Sequence, residues 1–290
     1  MIETDRYAYY PGCCAKASAK EYDATTRLVC QALGIELVEL ENWVCCGASS
    51  AHSVDKLLGI TLPAQELQSA ARLNLDLVAS CSLCFSRLKI AAHELKNENI
   101  RNQVSEILNE KIPANPRNGV KHLLQVLESH MDKIPLKKPL KDLKVACYYG
   151  CLLGRPKEIA EFEDEENPQV MDKIISRLGG EPVEWGFKAE CCGGSHIFTR
   201  QDIVLKLSHR LLYQAKQAGA DCLAVVCPVC HSNLDAMQKS IDAEYKDKVD
   251  LPALYITQLI GLAAGLPVKK LMFDKLFVDP IPLLRRKGLV

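Results

Sequence analysis

Two kinds of hydrophobic pattern alternate along the chain. Short runs made mainly of apolar residues, such as 75–80 and 222–226, are typical of buried parallel strands. Longer stretches with apolar residues three and four positions apart, such as 18–34 and 168–180, predict helices with one buried face. Strands that alternate with helices indicate an α/β fold, in which parallel sheets are flanked by helices.

The same order of predicted elements occurs in each half of the chain. The predicted strands are 6–10, 35–40 and 75–80 in the first half, and 143–149, 181–185 and 222–226 in the second. The polar stretch 96–143 contains prolines and no cysteine, and it predicts short helices and a linker. We therefore expect two pseudo-symmetric Rossmann-like lobes, with a first domain at 1–95, a helical linker at 96–143, and a second domain with a C-terminal helical extension at 144–290.

Individual residues mark where several helices are expected to begin and end. Ser18 is the predicted N-cap of the first long helix, and Gly34 is its predicted stop. Thr199 and Asp202 have the spacing of a capping box for a helix in the second half. The apolar segment 254–267 is too short to span a bilayer and is interrupted by glycine and proline, so it predicts a buried helix.

The cysteines form an internal repeat, with seven in each half of the chain. Cys46 precedes Cys81 by 35 positions, and Cys192 precedes Cys227 by the same 35. A G-C dipeptide lies 32 positions before the adjacent cysteine pair in the first half and 40 before it in the second. The eight extra positions fall in an acidic insertion, 161–169. Each half thus reads C…CC-G…C-x-x-C, which indicates a duplicated unit.

All of these cysteine motifs follow predicted strands. In parallel α/β sheets, ligands bind beyond the carboxyl ends of the strands, so we expect the five motif cysteines of each half to converge at one edge of its sheet. The ten candidate ligands are Cys13, Cys45, Cys46, Cys81, Cys84, Cys151, Cys191, Cys192, Cys227 and Cys230.

Five thiolates in one place indicate a metal centre larger than a single ion. Thiolates bind Zn(II), Cu(I) or iron–sulfur clusters. A structural zinc takes four ligands, commonly from two C-x-x-C knuckles, whereas only two cysteines of each half form a knuckle. We therefore favour iron–sulfur clusters, with zinc and disulfides as the alternatives. The C-x-x-C-H pattern at 227–231 matches haem attachment, which requires export, and we discount it.

Charge and hydropathy narrow the function classes. Lys plus Arg and Asp plus Glu both total 36, and this zero net charge gives no electrostatic case for binding nucleic acid or an anionic membrane. No apolar stretch approaches the ~20 residues of a membrane span, and the first residues lack the pattern of a secretory signal. We expect a cytoplasmic protein, in which many thiols indicate metal or redox chemistry rather than disulfides.

Four polar side chains beside the CC-G motifs are weaker candidates. His52 and His196 each follow a CC-G and could donate a proton to a departing thiolate, with a capping or surface role as the alternative. Lys188 and Arg200 flank the second CC-G and could bind an anionic substrate, although exposed charges are usually only solvated. The cysteines outside the repeat are interpreted as apolar packing residues: Cys14, Cys30, Cys147 and Cys222. Cys147, four positions before Cys151, could instead support the ligands without binding the metal.

Two copies of this cysteine pattern, across residues 7–265, resemble the tandem cysteine-rich CCG domains in the B subunit of heterodisulfide reductase. The resemblance implies that the pentad Cys13, Cys45, Cys46, Cys81 and Cys84 holds one non-cubane [4Fe–4S] cluster, and the pentad Cys151, Cys191, Cys192, Cys227 and Cys230 another. It also implies that a disulfide is cleaved reductively to two thiols between the two clusters. In methanogens the substrate of this family is the mixed disulfide of coenzymes M and B.

The resemblance further implies partner proteins. The chain has neither the C-x-x-C-x-x-C-x-x-x-C-P motif of ferredoxins nor a G-x-G-x-x-G fingerprint, so we expect its electrons to come from elsewhere. In the family they come from a small ferredoxin-like C subunit and a flavin-containing A subunit, in some complexes with a hydrogenase or formate dehydrogenase. Two alternatives stay open: an electron-transfer subunit of another oxidoreductase, in sulfur or organic-acid metabolism, and a zinc-stabilised assembly module.

Overall fold

The computed structural model describes residues 5–113 and 118–290. Within these residues, eight strands form two four-stranded sheets, and every strand pairing is parallel. The first sheet has the order β2-β1-β3-β4 and consists of β1 (Asp5–Tyr10), β2 (Ile35–Glu39), β3 (Leu77–Ala79) and β4 (Val120–His122). The second sheet has the order β6-β5-β7-β8 and consists of β5 (Lys144–Tyr148), β6 (Glu181–Pro182), β7 (Cys222–Val225) and β8 (Ala253–Tyr255).

Helices connect the parallel strands and cover both sheets, as crossover connections require. Those of the first half are α1 (Gly12–Lys16), α2 (Lys20–Ala32), α3 (Ala51–Val54), α4 (Leu58–Leu73), α5 (Ser82–Glu94), α6 (Glu98–Leu108) and α7 (Leu123–Ser129). Those of the second half are α8 (Lys157–Ala160), α9 (Val170–Arg177), α10 (Gln201–Gln217), α11 (Pro228–Asp235), α12 (Gln238–Tyr245), α13 (Ile256–Ala263) and α14 (Ile281–Arg286). We call each sheet with its helices a lobe.

The α/β fold with two parallel, helix-flanked sheets is confirmed. All six predicted strands are present, although β3 and β6 are shorter than the predicted strands 75–80 and 181–185. The predicted C-terminal helix is present as α13, and all of its residues are buried. The acidic insertion 161–169 joins α8 to α9, and the Glu163 carboxylate accepts hydrogen bonds from the backbone N–H groups at the start of α9.

The fourth strand of each sheet was not predicted from the sequence. β4 lies within the stretch 96–143, and β8 lies at the start of the predicted helix 254–267. β4 lies in a mostly polar stretch, and β8 lies in an apolar run that continues into α13, so neither has a strand pattern distinct from its surroundings. Both strands lead into a helix in the same way, because a glutamine, Gln125 or Gln258, accepts a hydrogen bond from the last N–H of the strand. The division of the chain into domains stays a prediction.

Two of the predicted helix starts are wrong. Helix α2 begins after Ala19 without a side-chain cap, because the Ser18 hydroxyl bonds to the Cys14 thiol instead. Helix α10 begins after Arg200, and the Asp202 carboxylate pairs with the guanidinium of that arginine instead of capping the helix. The predicted stop of α2 is confirmed, since Gly34 has a φ of +75° just beyond the helix end, where glycine carries no steric penalty.

The two lobes share one hydrophobic core. Helix α2 of the first lobe packs on α13 of the second, and the Thr25 and Thr257 hydroxyls lie 2.8 Å apart across that contact. Lys89 of α5 also forms an ion pair with Glu161 of the acidic insertion. The lobes are thus joined both through their core and at their surface. No helix among the described residues is long and apolar enough to cross a membrane.

Candidate functional site

The cysteine motifs lie beyond the carboxyl ends of the strands, as the strand order requires. Cys81 follows β3 by one residue and forms the N-cap of α5, and Cys227 in the same way precedes α11. Cys13 is the second residue of α1 and lies three positions after the last residue of β1. The parallel pairing of β1 with β3, and of β5 with β7, therefore places each G-C turn beside a C-x-x-C motif.

The cysteine sulfurs approach one another at short range in both lobes. The closest pairs are equivalent in the repeat: Cys46 Sγ lies 3.3 Å from Cys84 Sγ, and Cys192 Sγ lies 3.5 Å from Cys230 Sγ. The Cys13 and Cys45 sulfurs lie 4.0 Å apart, and the Cys81 and Cys227 sulfurs lie 3.9 Å apart across the lobe interface.

These separations suit metal-bound thiolates. Two thiolates on one tetrahedral metal, with bonds of about 2.3 Å, lie about 3.8 Å apart. In the described residues 5–113 and 118–290, no group of three or more His, Cys, Asp or Glu side chains is placed to hold one metal ion. The sulfurs instead form pairs spread over each pentad. The donor chemistry and the pairwise distances fit thiolate ligands of a multinuclear centre.

Glycine at two equivalent positions allows this close approach. Gly12 and Gly150 precede the first cysteine of each pentad and have φ angles of +73° and +74°, a region that L side chains rarely adopt. A Cβ at Gly12 would lie 3.1 Å from Cys84 Sγ, and a Cβ at Gly150 would lie 3.2 Å from Cys230 Sγ. Both glycines are therefore required by backbone conformation and by the space that the cysteine sulfur occupies.

The hydroxyl of a buried tyrosine donates a hydrogen bond to the backbone next to each adjacent cysteine pair. The Tyr10 hydroxyl donates to the carbonyl of Val44 at 2.8 Å, and the Tyr148 hydroxyl donates to the carbonyl of Glu190 at 2.7 Å. Each acceptor is the residue immediately before the cysteine pair. Neither tyrosine was predicted to have a role, although both belong to the tyrosine-rich runs that precede the G-C turns.

The first cysteine of each adjacent pair is predisposed to the thiolate form. The pKa of Cys45 is lowered chiefly by its hydrogen bond with the Cys13 thiol and next by that with the Cys46 thiol. The pKa of Cys191 is lowered to about 6, chiefly by the Cys151 thiol, with further help from backbone N–H groups and nearby His196. The second cysteine of the first pair behaves oppositely, since neighbouring Cys45 and burial raise the pKa of Cys46 to about 11.

A carboxyl group is buried next to the cysteine pair of the first lobe. Glu66 of α4 is fully buried, and its Oε1 accepts a hydrogen bond from the Val44 N–H at 2.7 Å. Its other oxygen, Oε2, has no hydrogen-bond partner among the described residues. Burial raises the pKa of Glu66 to about 7. Glu66 was not predicted as a site residue, because one glutamate in an otherwise ordinary amphipathic helix gives no signal in the sequence.

A small cavity of about 20 Å³ opens between the lobes beside the second pentad. Ser82 and Leu83 of the first lobe line one side of it. The cysteines that line it on the second lobe are Cys151, Cys191, Cys192 and Cys230. The cysteines of the second lobe thus face residues from the C-x-x-C motif of the first.

Both candidate histidines are exposed and lie near the cysteine pairs in sequence. His52 belongs to the short helix α3, and its backbone packs against Gly59. His196 ends a 3-10 turn, Gly194–His196, and lies close enough to Cys191 to favour its thiolate. Their proposed part in proton transfer stays a prediction.

The two candidate cations have different surroundings. Lys188 is only 1 % exposed, and its Nζ donates to the buried Asp172 carboxylate at 2.9 Å. Asp172 also accepts a hydrogen bond from the Tyr149 hydroxyl at 2.7 Å. This burial gives Lys188 a structural role in place of the substrate-binding role suggested from the sequence. Arg200 is exposed and pairs with Asp202 at 2.8 Å.

The cysteines outside the pentads fall into two groups. Cys30, Cys147 and Cys222 are fully buried in the core, as expected for packing residues, and burial raises the pKa of each. Cys14 is half-buried at the lobe interface, hydrogen-bonded to Cys13 and close to the cysteines of both pentads. Its counterpart in the repeat, Leu152, lines the cavity between the lobes.

Comparison with known proteins supports an iron–sulfur redox role. The cysteine-rich domain CCG matches residues 7–89 and again 145–235. The chain is 32% identical to the 8-methylmenaquinol:fumarate reductase membrane anchor subunit of Wolinella succinogenes, over 94% of this chain and 97% of that protein. It is 26% identical to the B subunit of the ferredoxin/F420H2-dependent CoB-CoM heterodisulfide reductase of Methanosarcina acetivorans, over 97% and 96% of the two chains.

A solved structure supports the fold alone. A hypothetical protein from Helicobacter pylori superimposes with a TM-score of 0.79 at 15% identity and covers 95% of this chain. The match takes in 52% of that protein, so the chain spans about half of its length.

We expect the buried ion pair of Lys188 to be needed for stability. Lys188→Met leaves the Asp172 carboxylate buried without its cation, which costs about 3–5 kcal/mol of unfolding free energy. The double variant Lys188→Met with Asp172→Asn removes both charges and keeps an acceptor for Tyr149, so it should recover most of that loss. Urea denaturation followed by circular dichroism measures both, and a Lys188→Met variant as stable as the parent would contradict this role.

We also expect Glu66 to make stability depend on pH. Because its pKa is raised to about 7 in the folded chain from 4.5, the folded state binds the extra proton, and stability falls as pH rises from about 5 through 7. The free energy of unfolding falls by about 3 kcal/mol across this titration. Glu66→Gln keeps the acceptor for Val44 but cannot ionise, so this part of the pH dependence should vanish. If the unfolding free energies of the parent and the variant depend on pH in the same way between pH 5 and 8, the prediction is refuted.

Proposed function

Because the chain belongs to the cysteine-rich CCG domain family and carries the domain twice, we propose that it is the catalytic iron–sulfur subunit of a heterodisulfide reductase-like complex. In this proposal each pentad holds a non-cubane [4Fe–4S] cluster, and a disulfide of the CoM-S-S-CoB type is cleaved to two thiols between the lobes. The observation that carries the proposal is the meeting of two complete cysteine pentads at the lobe interface, where the Cys81 and Cys227 sulfurs lie 3.9 Å apart.

The ten pentad cysteines would hold the two centres. Iron–sulfur clusters, when bound, supply electrons one at a time, and the protein contributes position and electrostatics. Cleavage of one disulfide consumes two electrons and two protons and gives two thiols. The repeat suits this demand, because it presents two equivalent cysteine sets to the two sulfurs of one substrate.

The remaining roles in the reaction fall to the polar side chains near the cysteine pairs. His196 lies beside Cys191 and is exposed, so it can exchange a proton with solvent and pass it to a product thiolate. We give His52 the same role in the first lobe. Arg200, which is exposed beside the second CC-G, is the remaining candidate for binding an anionic end of the substrate.

The proposal includes partners and a location. Within residues 5–113 and 118–290 the two pentads hold every candidate cluster ligand, so electrons would have to reach them from other proteins. We propose a ferredoxin-like C subunit and a flavin-containing A subunit, with a hydrogenase or formate dehydrogenase as further components, in a cytoplasmic complex.

A second candidate function rests on the Wolinella succinogenes relative. That protein is 32% identical over nearly the whole chain and is named as a subunit of a quinol:fumarate reductase. If this chain works in a similar complex, its clusters pass electrons between subunits and no disulfide is cleaved.

The first experiment analyses metals and turnover of the anaerobically purified chain. We expect about eight irons and about eight acid-labile sulfides per chain, as two four-iron clusters require, and no zinc. With reduced viologen as the electron donor, we expect disulfides to be reduced at a rate that falls at least tenfold in His196→Gln. Stoichiometric zinc without labile sulfide would overturn the redox role. Full clusters without disulfide turnover would favour the electron-transfer function.

The glycine before each pentad provides a matched test of the ligand assignment. Gly12→Ala should displace Cys84 and remove about half of the bound iron, because it disturbs one of two clusters. Gly34→Ala is the control, since Gly34 has the same left-handed backbone, with φ of +75°, and no atom within 4 Å of the added carbon. It should lose stability but keep its iron. Equal iron in the two variants would contradict the assignment.

A further inference from the structure

The C-x-x-C motifs of the two lobes meet at the centre of the molecule. Cys81 and Cys227 open these motifs, and both are almost fully buried. Their sulfurs lie 3.9 Å apart, which is close to van der Waals contact. The other short sulfur contacts, such as Cys46 with Cys84, lie within one lobe. The contact between Cys81 and Cys227 therefore joins the two candidate cluster sites directly.

One tyrosine hydroxyl bonds to the backbone directly before each of these two cysteines. Tyr22 of α2 is fully buried, and its hydroxyl lies 3.1 Å from the carbonyl oxygen of Ser80 and 3.1 Å from that of Val226. These two residues immediately precede Cys81 and Cys227. The hydroxyl can share its one proton between the two carbonyls in a three-centre hydrogen bond. It thereby ties the backbones of both lobes together one residue from the sulfur contact.

Aromatic stacking fixes the position of this hydroxyl. The Tyr22 ring lies flat on the Tyr255 ring, with centroids 4.1 Å apart and planes 7° apart. Tyr255 also stacks on His231, at 4.2 Å and 18°. His231 follows Cys230 directly, and its Nε2 is hydrogen-bonded to the Ala253 carbonyl at 3.0 Å. Three stacked rings thus connect α2 of the first lobe to the second pentad.

Tyr22 has no counterpart in the second lobe. Counted back from the glycine that ends each helix, Gly34 or Gly179, its position falls at Asn167, in the loop before α9. One hydroxyl therefore bonds to both lobes, next to the buried ring of His122, which approaches the same two carbonyls from β4. Such a residue fixes the position of one lobe relative to the other, and the cysteine ligands of each lobe do not depend on it.

We infer that the Cys81–Cys227 contact is the junction through which the two cluster sites exchange an electron, and that Tyr22 is the positioning residue that holds this junction closed. The inference rests on the proposed iron–sulfur function. In the exchange, one electron leaves the centre of one lobe and is taken up by the centre of the other, and no bond or proton changes. Because disulfide cleavage needs two electrons, the junction allows both to enter through one lobe and still reach both sulfurs of the substrate.

The test uses the anaerobic full-length chain, reduced by two electrons so that each centre carries one unpaired spin, and examined by EPR. In the parent, we expect a magnetic interaction between the two centres, seen as a split or broadened signal with accelerated relaxation. Tyr22→Phe keeps the ring stack but removes the hydroxyl, so the interaction should be lost while the iron content is unchanged. Tyr149→Phe is the matched control, because it removes a buried hydroxyl that bonds to Asp172, away from the junction, and it should behave as the parent.

Each outcome decides the inference. If both centres assemble and the parent signal shows no interaction, or if Tyr22→Phe keeps the parent interaction, the junction is refuted while the iron–sulfur function stands. An equal loss of the magnetic interaction in Tyr149→Phe would also refute the inference, because the loss would then follow from removing any buried hydroxyl. A parent chain without iron would overturn the proposed function as well. Should Tyr22→Phe fail to bind iron, Tyr255→Leu, which removes the stacking partner and leaves the hydroxyl, must weaken the interaction for the inference to survive.

Discussion

The register between the first and third strand of each sheet is the constraint on which the cysteine sites depend. Ala8 pairs with Leu77 in the first lobe, and Val145 pairs with Cys222 in the second. These parallel registers place each G-C turn beside the C-x-x-C motif that follows the neighbouring strand. A slip of one residue would turn every side chain of the strand to the opposite face and separate the thiols. The sheets therefore serve chiefly to bring distant cysteines to one edge.

The two lobes repeat the same ligands in different electrostatic surroundings. The first lobe buries the carboxyl group of Glu66 behind its cysteine pair, whereas the second buries Asp235 in the helix of its C-x-x-C motif and an ion pair of Lys188 and Asp172 near its G-C turn. An acid that gains or loses a proton changes the charge near one centre, but an ion pair stays neutral overall. Two centres with the same ligands can thus differ in the ease with which each accepts an electron.

The sequence predicts the repeat, the α/β fold and the convergence of the cysteines, because spacing and hydrophobic pattern are properties of the chain itself. It does not predict features that depend on distant partners. The position of Tyr22 depends on a carbonyl 204 residues away. From the sequence alone Lys188 is a cation near the second CC-G, and its buried partner Asp172 is known only from the structure. The strands β4 and β8 have no strand pattern that separates them from the polar stretch and the apolar helix around them, and they are defined only by the strands that they pair with.

The single hydroxyl of Tyr22 bears on how such a molecule could have arisen. Two identical copies of one lobe, meeting across a true twofold axis, would each present a tyrosine at this place, and two rings would compete for one space. Joining the copies in one polypeptide removes that conflict, because one copy can keep the residue while the other loses it. Gene fusion thereby permits a central contact that a homodimer of separate lobes could not form.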